Sequence, residues 1–382
     1  MRLHGHVQVD GGGEPFLVRL TRNRLLPRAA RHREALLVSG EEGTEGADGF
    51  RVVVRVGGAL STGSDVPEVV LPDDFAYLGD GDLLRVNPAA SQVRVVYRRS
   101  AAFNSILVTE RCNSNCTMRS QPPRQVDDGY LVAETVEAIA LMDRGSPELG
   151  LTGGEPTLLG DGLLRIIAAA RDWLPNTALH VLTNGRLFAY AKWADRLAGV
   201  GHHDLMLGIP LYSDLPDLHD FVVQARGAFE QTVRGFLNLA RVGVRIELRV
   251  VIHRQTYERL PDLADFIVRN LPFVDQVSLM GLEMMGHVKM NLDALWIDPV
   301  DYQTQLRAAV EAIHAAGLKP LIFNHQLCTL DHSLWPDARK SISDWKNIYM
   351  PECDGCGVRD QCGGFFASAP LRYSSYIHPI PS

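Results

Sequence analysis

With 382 residues, 46% of them hydrophobic and 22% charged, the chain can bury a large core and exceeds one ordinary domain. A formal net charge of -7, from 38 basic and 45 acidic residues without a long basic run, argues against nucleic-acid binding by phosphate neutralisation. No run of about 18 apolar residues is present. The N-terminal MRLHGHVQVDGGG also lacks a signal-peptide core, so a cytoplasmic protein with no membrane association is expected.

Residues 1 to about 100 read as a β-rich domain. Strand patterns at FLVRL (16–20), ALLVS (35–39), FRVVVRV (50–56), DLLRVN (82–87) and QVRVVYR (92–98) are separated by Gly and Asp turn clusters. The alternating arginines of RVVVRV and QVRVVYR predict a solvated sheet face.

From Ser105 the pattern changes to alternating strand and helix signals, which predicts parallel strands joined by crossover helices. Six strands are expected: SILVT (105–109), ELGLT (148–152), LHVLT (179–183), DLMLGI (204–209), RIELRVV (245–251) and QVSLM (276–280). Helices are expected over 228–242, where Phe229, Val233, Phe236, Leu237 and Ala240 recur at helical spacing, and over 299–316, ahead of LKPLIF. Ligands in such folds gather at the carboxyl ends of strands, so the loops after them are the place to look.

After the first strand comes TERCNSNCTMRSQPP, with Cys112 and Cys116 in one tight loop; after the second comes TGGEP, and after the third TNG. Adjacent glycines let a backbone approach a ligand closely, and Glu155 offers a carboxylate to an ammonium group. Alone, either GG or TNG is an ordinary turn; their order after consecutive strands gives them weight. The six cysteines (112, 116, 328, 353, 356 and 362) are grouped as metal ligands would be, not as a disulfide framework. CDGCGVRDQC sets Cys353, Cys356 and Cys362 at C-x2-C-x5-C spacing, and with Cys328 upstream the tail offers four thiolates, a set suited to zinc or to an iron-sulfur cluster. His202, His203, His219 and His253 lie near strand ends, where general acids or bases could stand, but read first as solvated or hydrogen-bonded histidines; no catalytic residue is identifiable.

In these motifs the chain resembles the radical SAM superfamily. That resemblance implies a partial (βα)6 barrel over about 105–323 and a 4Fe-4S cluster held by a CxxxCxxC loop, with an open iron that binds S-adenosylmethionine. It assigns the methionine moiety to Gly153, Gly154 and Glu155, and brings Asn184, Arg249, Glu283 and Gly286 to the cofactor. A closer likeness, carried by GDLLRVNP, YRR, TERCNSNC, SQPP, GGEPTLL and the cysteine-rich tail, is to the C-type radical SAM maturases of His-Xaa-Ser systems. It implies a precursor peptide with His-Xaa-Ser repeats, a partner maturase, an external electron donor and an auxiliary 4Fe-4S cluster in the tail. The expected organisation is an N-terminal β domain (1–100), a barrel (101–323) and a Cys-rich extension (324–382).

One position departs from the pattern: the third cluster cysteine is Arg119. A guanidinium has no lone pair to give to iron. A catalytically silent peptide-binding or partner subunit is therefore the alternative to an active maturase.

Overall fold

The computed structural model describes residues 3–9, 13–60, 66–340 and 348–381, and the chain divides into two compact units. The first comprises Met1–Ile106, Gly129–Gly150 and Arg165–Ala178; the second comprises Leu107–Asp128, Leu151–Leu164 and Leu179–Ser382.

The first unit is built on an eight-stranded sheet: β1 (His4–His6), β2 (Gln8–Val9), β3 (Phe16–Thr21), β4 (Glu34–Ser39), β5 (Val52–Val56), β6 (Glu68–Leu71), β7 (Leu83–Asn87) and β8 (Gln92–Tyr97). Its order is β1-β8-β7-β3-β4-β5-β6-β2. A short helix, α1 (Arg28–Arg31), lies in the β3–β4 connection. The strands expected from sequence all form, yet β3 to β6 pair in parallel, which requires connections of about a dozen residues in place of tight hairpins.

The solvated arginine face is overturned in β5. Every residue of VVVRV is buried, because both faces of the sheet are covered: Val52 and Val54 enter a core with Leu37, Val69 and Phe75, while Val53 enters another with Leu36, Val38 and Phe50. Arg55 shares the face of Val53 and is neutralised by Glu68 (Nε to Oε1, 2.6 Å), with further bonds to the carbonyls of Gly40 and Glu42. Nearby, α2 (Tyr130–Leu141) brings Glu134 to Arg85 and Arg94, so β8's arginine is also paired.

A second sheet has seven strands: β9 (Phe103–Thr109), β10 (Glu148–Gly153), β11 (Ala178–Leu182), β12 (Leu205–Pro210), β13 (Arg245–Val251), β14 (Gln276–Met280) and β15 (Pro320–Phe323). They lie in sequence order, and the pairs from β11 to β15 are parallel. The fold is a mixed α/β architecture with a parallel sheet; all six expected strands are present, and LKPLIF supplies a seventh. The helices between them are α3 (Asp161–Trp173), α4 (Ala191–Gly199), α5 (Pro216–Val223), α6 (Ala228–Arg241), α7 (Leu260–Asn270), α8 (Leu292–Leu295) and α9 (Gln303–Ala315). The predicted helix at 228–242 is α6, which buries Phe236 and Leu239 and leaves Leu237 exposed.

Glu68→Ala would remove the carboxylate bonded to the buried Arg55 guanidinium. A loss of about 3–5 kcal/mol is expected in denaturant unfolding, whereas the double substitution Arg55→Met, Glu68→Leu should recover most of it.

Candidate cofactor site

The site lies within the second unit, at the carboxyl ends of β9, β10 and β11. Thr109, which ends β9, and the two residues after it are fixed by Asp128. One carboxylate oxygen accepts from the Thr109 hydroxyl (2.7 Å) and the Glu110 amide (2.6 Å), and the other from Arg111 Nε (2.9 Å). The strap after β10 then folds directly onto this segment: Gly154 N donates to Thr109 O and Glu155 N to Arg111 O, both at 2.7 Å. A Cβ on Gly154 would sit 1.9 Å from Arg111 O, and one on Gly153 would sit 2.5 Å from Thr109 O. Both glycines are thus demanded by the neighbouring backbone of the cysteine loop.

Glu155 is fully buried. Oε1 accepts from Thr157 N (3.0 Å), Thr157 Oγ1 (2.6 Å) and Thr183 Oγ1 (2.6 Å); Oε2 accepts from Asn184 N (2.6 Å). The carboxylate ties the strap after β10 to the TNG loop after β11. Asn184 in turn reaches the cysteine loop, Nδ2 to Asn113 Oδ1 at 2.6 Å. Arg186 completes this brace, with Nη1 on Asn113 O and Ser114 Oγ and Nε on Gln231 of α6.

The cysteine loop is held on its other side as well. The amides of Asn115 and Thr117 donate to Val223 O and Val222 O at the end of α5. His287 N donates to Arg119 O and Asn291 Nδ2 to Thr117 O. Gly286 belongs here: a Cβ on it would meet the carbonyls of Arg119 and Ser120, each at 2.3 Å, so it backs the loop. Met118 and Cys116 join Tyr212, Val222, Met284 and Val288 in an apolar cluster. Burial pushes the Cys116 thiol up to about 11, against the opposing pull of the Arg119 charge.

Arg119 lies between loop and strap. Nη1 is 2.9 Å from Cys112 Sγ and 3.4 Å from Ser114 O; Nη2 is 2.8 Å from Gly154 O and 3.5 Å from Gly153 O; Nε is 2.5 Å from Gln121 O. The loop therefore offers two thiols and a cation, and the guanidinium is bonded to one of those thiols. These residues do not fit a cubane held by three thiolates.

Arg249, on β13, is engaged elsewhere: Nη1 donates to Glu247 Oε2 (2.9 Å) and Nη2 lies 3.2 Å from Met280 Sδ. Burial alone would raise the Glu247 carboxyl, but Arg249, with His180 and Ser278, holds it well below the usual carboxylate range. Glu283 lines a cavity of about 70 Å³ at the ends of β13, β14 and β15, with Trp296 and Asn324 and with Phe365 and Tyr373 of the tail.

None of the six cysteines is in a disulfide. In the tail, burial raises the thiols of Cys328 and Cys353, which also feel the charge of Cys362; Cys356 acts on Cys353. Leu327 N and Ile380 N each point at a sulfur, Cys362 Sγ and Cys356 Sγ, at 3.5 Å. Among the described residues, no three His, Cys, Asp or Glu side chains form a group able to hold a metal ion as they stand.

Of the four histidines, His202 accepts a bond from Asp204 N and stacks on His203, and His219 accepts from Tyr212 N. His253 departs from the expectation: it is completely buried and neither ring nitrogen has a partner among the described residues. The residues that sequence reading missed are Asp128, Thr157, Thr183, Arg186 and Tyr212. Thr183, inside the TNG motif, and Thr157, inside GGEPTLL, carried a local signal.

Residues 106–267 match the family model of the radical SAM superfamily. That segment, less than half of the chain, is similar to radical SAM domains. The superfamily comprises enzymes that use a 4Fe-4S cluster and S-adenosylmethionine. Among curated proteins, the chain is 34% identical over 161 residues to pre-heme d1 synthase of Dinoroseobacter shibae, covering 41% of this chain and 38% of that one. It is 28% identical over 163 residues to Fe-coproporphyrin III synthase of Methanosarcina barkeri, covering 42% and 39%. The chain thus spans about two fifths of the length of these relatives. Among solved structures, SuiB of Streptococcus suis bound to its precursor peptide SuiA is 17% identical with a TM-score of 0.48, covering 61% of this chain and 51% of that one.

Buried neutral histidines make a pH prediction for the second unit. Burial lowers both His219 and His253 from 6.5 to about 4. A base depressed in the folded state stays neutral there while the unfolded chain takes up a proton, so stability is lost as pH falls from 6.5 toward 4. Thermal melts across that window should show the fall, and His253→Leu should flatten it.

Proposed function

We propose that this protein is built as a radical SAM peptide maturase of the His-Xaa-Ser type and is held inactive by Arg119, which closes its cysteine loop. The observation that carries the reading is the assembly of loop, GGEP strap and TNG loop around Glu155, which is complete apart from residue 119. The curated relatives named above are tetrapyrrole synthases and share about 160 residues, which supports the domain but not a tetrapyrrole substrate. Support for a peptide substrate comes from the motifs GDLLRVNP, YRR and SQPP, together with the cysteine-rich tail.

The substrate in this reading is a precursor peptide with His-Xaa-Ser repeats. The cavity at the ends of β13 to β15 has room for one small side chain of such a peptide. Cys328, Cys353, Cys356 and Cys362 would hold an auxiliary 4Fe-4S cluster, with the amides of Leu327 and Ile380 on the sulfurs. A cytoplasmic location agrees with the fact that, among the described residues, no helix is long and apolar enough to cross a membrane.

A second reading has its own support. The five bonds of Arg119 stabilise the loop without any cluster, as a partner or peptide-binding subunit with no radical chemistry would require.

Anaerobic reconstitution separates the two. Arg119→Cys should gain about four irons per chain over the parent and form 5'-deoxyadenosine from S-adenosylmethionine, whereas Arg119→Ala should do neither. Equal iron and equal product in all three forms would remove the maturase reading as stated. A folded Arg119→Cys protein that loads a cluster and remains inactive would favour the partner subunit. In the tail, replacing Cys353, Cys356 and Cys362 together by Ser should abolish the metal retained by the parent protein and speed proteolysis near the C-terminus; unchanged metal content would refute the auxiliary site.

A further inference from the structure

All five partners of Arg119 are acceptors and none is a carboxylate: three backbone carbonyls face the two terminal nitrogens together with Cys112 Sγ, and a fourth carbonyl takes Nε. Glu155, the carboxylate of the strap, has both oxygens committed to Thr157, Thr183 and Asn184. The cleft therefore presents converging lone pairs from Gly153 O and Gly154 O on a rigid strap. Such a pair suits a group rich in N–H donors and carrying positive charge, whether guanidinium or ammonium.

We propose that Arg119 is a built-in occupant of an ammonium subsite. Its guanidinium takes the carbonyls of Gly153 and Gly154 that the α-ammonium of an amino-acid-type ligand would need, and it places a fixed cation where that second cation would arrive. The chain thus rejects S-adenosylmethionine-type ligands by competition and by charge, independently of the missing third thiolate. The inference rests on the reading of this cleft as the cofactor site. It differs from a mere defect in cluster loading, because it concerns ligand binding by metal-free protein.

The strap would not collapse when the guanidinium is removed. Gly153 and Gly154 are pinned by the amide bonds from Gly154 and Glu155 to Thr109 and Arg111, and Glu155 is braced from the TNG loop. Two carbonyls would then be free in an otherwise intact cleft.

The test uses the metal-free full chain, so that no redox chemistry takes part. S-adenosylhomocysteine, which keeps the amino-acid end, and 5'-methylthioadenosine, which lacks it, are titrated by calorimetry into the parent, Arg119→Ala and Arg119→Gln. The glutamine variant keeps much of the side chain's length without its charge and guards against a folding failure of the alanine form. S-adenosylhomocysteine should bind the two neutral variants about tenfold or more tightly than the parent. Millimolar guanidinium ion, well below denaturing concentrations, should compete with it in Arg119→Ala. 5'-Methylthioadenosine should bind all three forms alike. If S-adenosylhomocysteine binds the folded variants no better than the parent, the subsite proposal is overturned. An equal gain for both nucleosides would also overturn it, by showing a general opening of the cleft. A gain in binding here, alongside an Arg119→Cys protein that takes up no cluster, would uphold the subsite and reject the maturase reading.

Discussion

The approach of the GGEP strap to the backbone after β9 is the constraint on which the site depends. Two amide bonds of 2.7 Å bring Gly154 so near Arg111 O that no side chain fits at 154. With that contact made, the Glu155 carboxylate is carried into the interior, where burial without partners would be costly, and its four bonds from Thr157, Thr183 and Asn184 remove that cost. The three loops are consequently tied to one another. Thr183 and Asn184 cannot move without stranding a buried charge.

Upon this frame the charge at Arg119 has a specific effect. A guanidinium surrounded by carbonyls and one thiol is well hydrogen-bonded, yet no carboxylate among the described residues pairs with it. In a loop that serves a cluster, thiolates would supply negative charge at this spot; here a fixed cation bridges the same elements. The architecture survives the exchange because the loop has other anchors, namely α5 through Val222 and Val223, the 286–291 segment, and Arg186. Structural integrity of the fold and fitness to hold iron are therefore separable properties of this chain.

The N-terminal sheet shows a related principle in a place without chemistry. A strand covered on both faces cannot expose its arginine, so Arg55 is taken inside with Glu68 and the carbonyls of Gly40 and Glu42. Parallel pairing of β3 to β6 is what buries both faces, and that pairing is not written in the local alternation of VVVRV.

The sequence by itself determined the strand and helix alternation from Ser105 onward, the cysteine groupings, and the order of the three motif loops, because periodicity and Gly, Cys and Glu placements are local signals. It also revealed that residue 119 breaks the ligand pattern. Only the tertiary structure decided what the glycines of GGEP make room for, where the Glu155 charge is balanced, and that Gly286 backs the cysteine loop. It alone gave roles to Asp128 and Arg186, whose partners are distant in the chain or lie across loops. The physical reason is that backbone close approach and the pairing of buried charge are set by which strand ends meet, and that is fixed by long-range packing and not by the neighbours of any one residue.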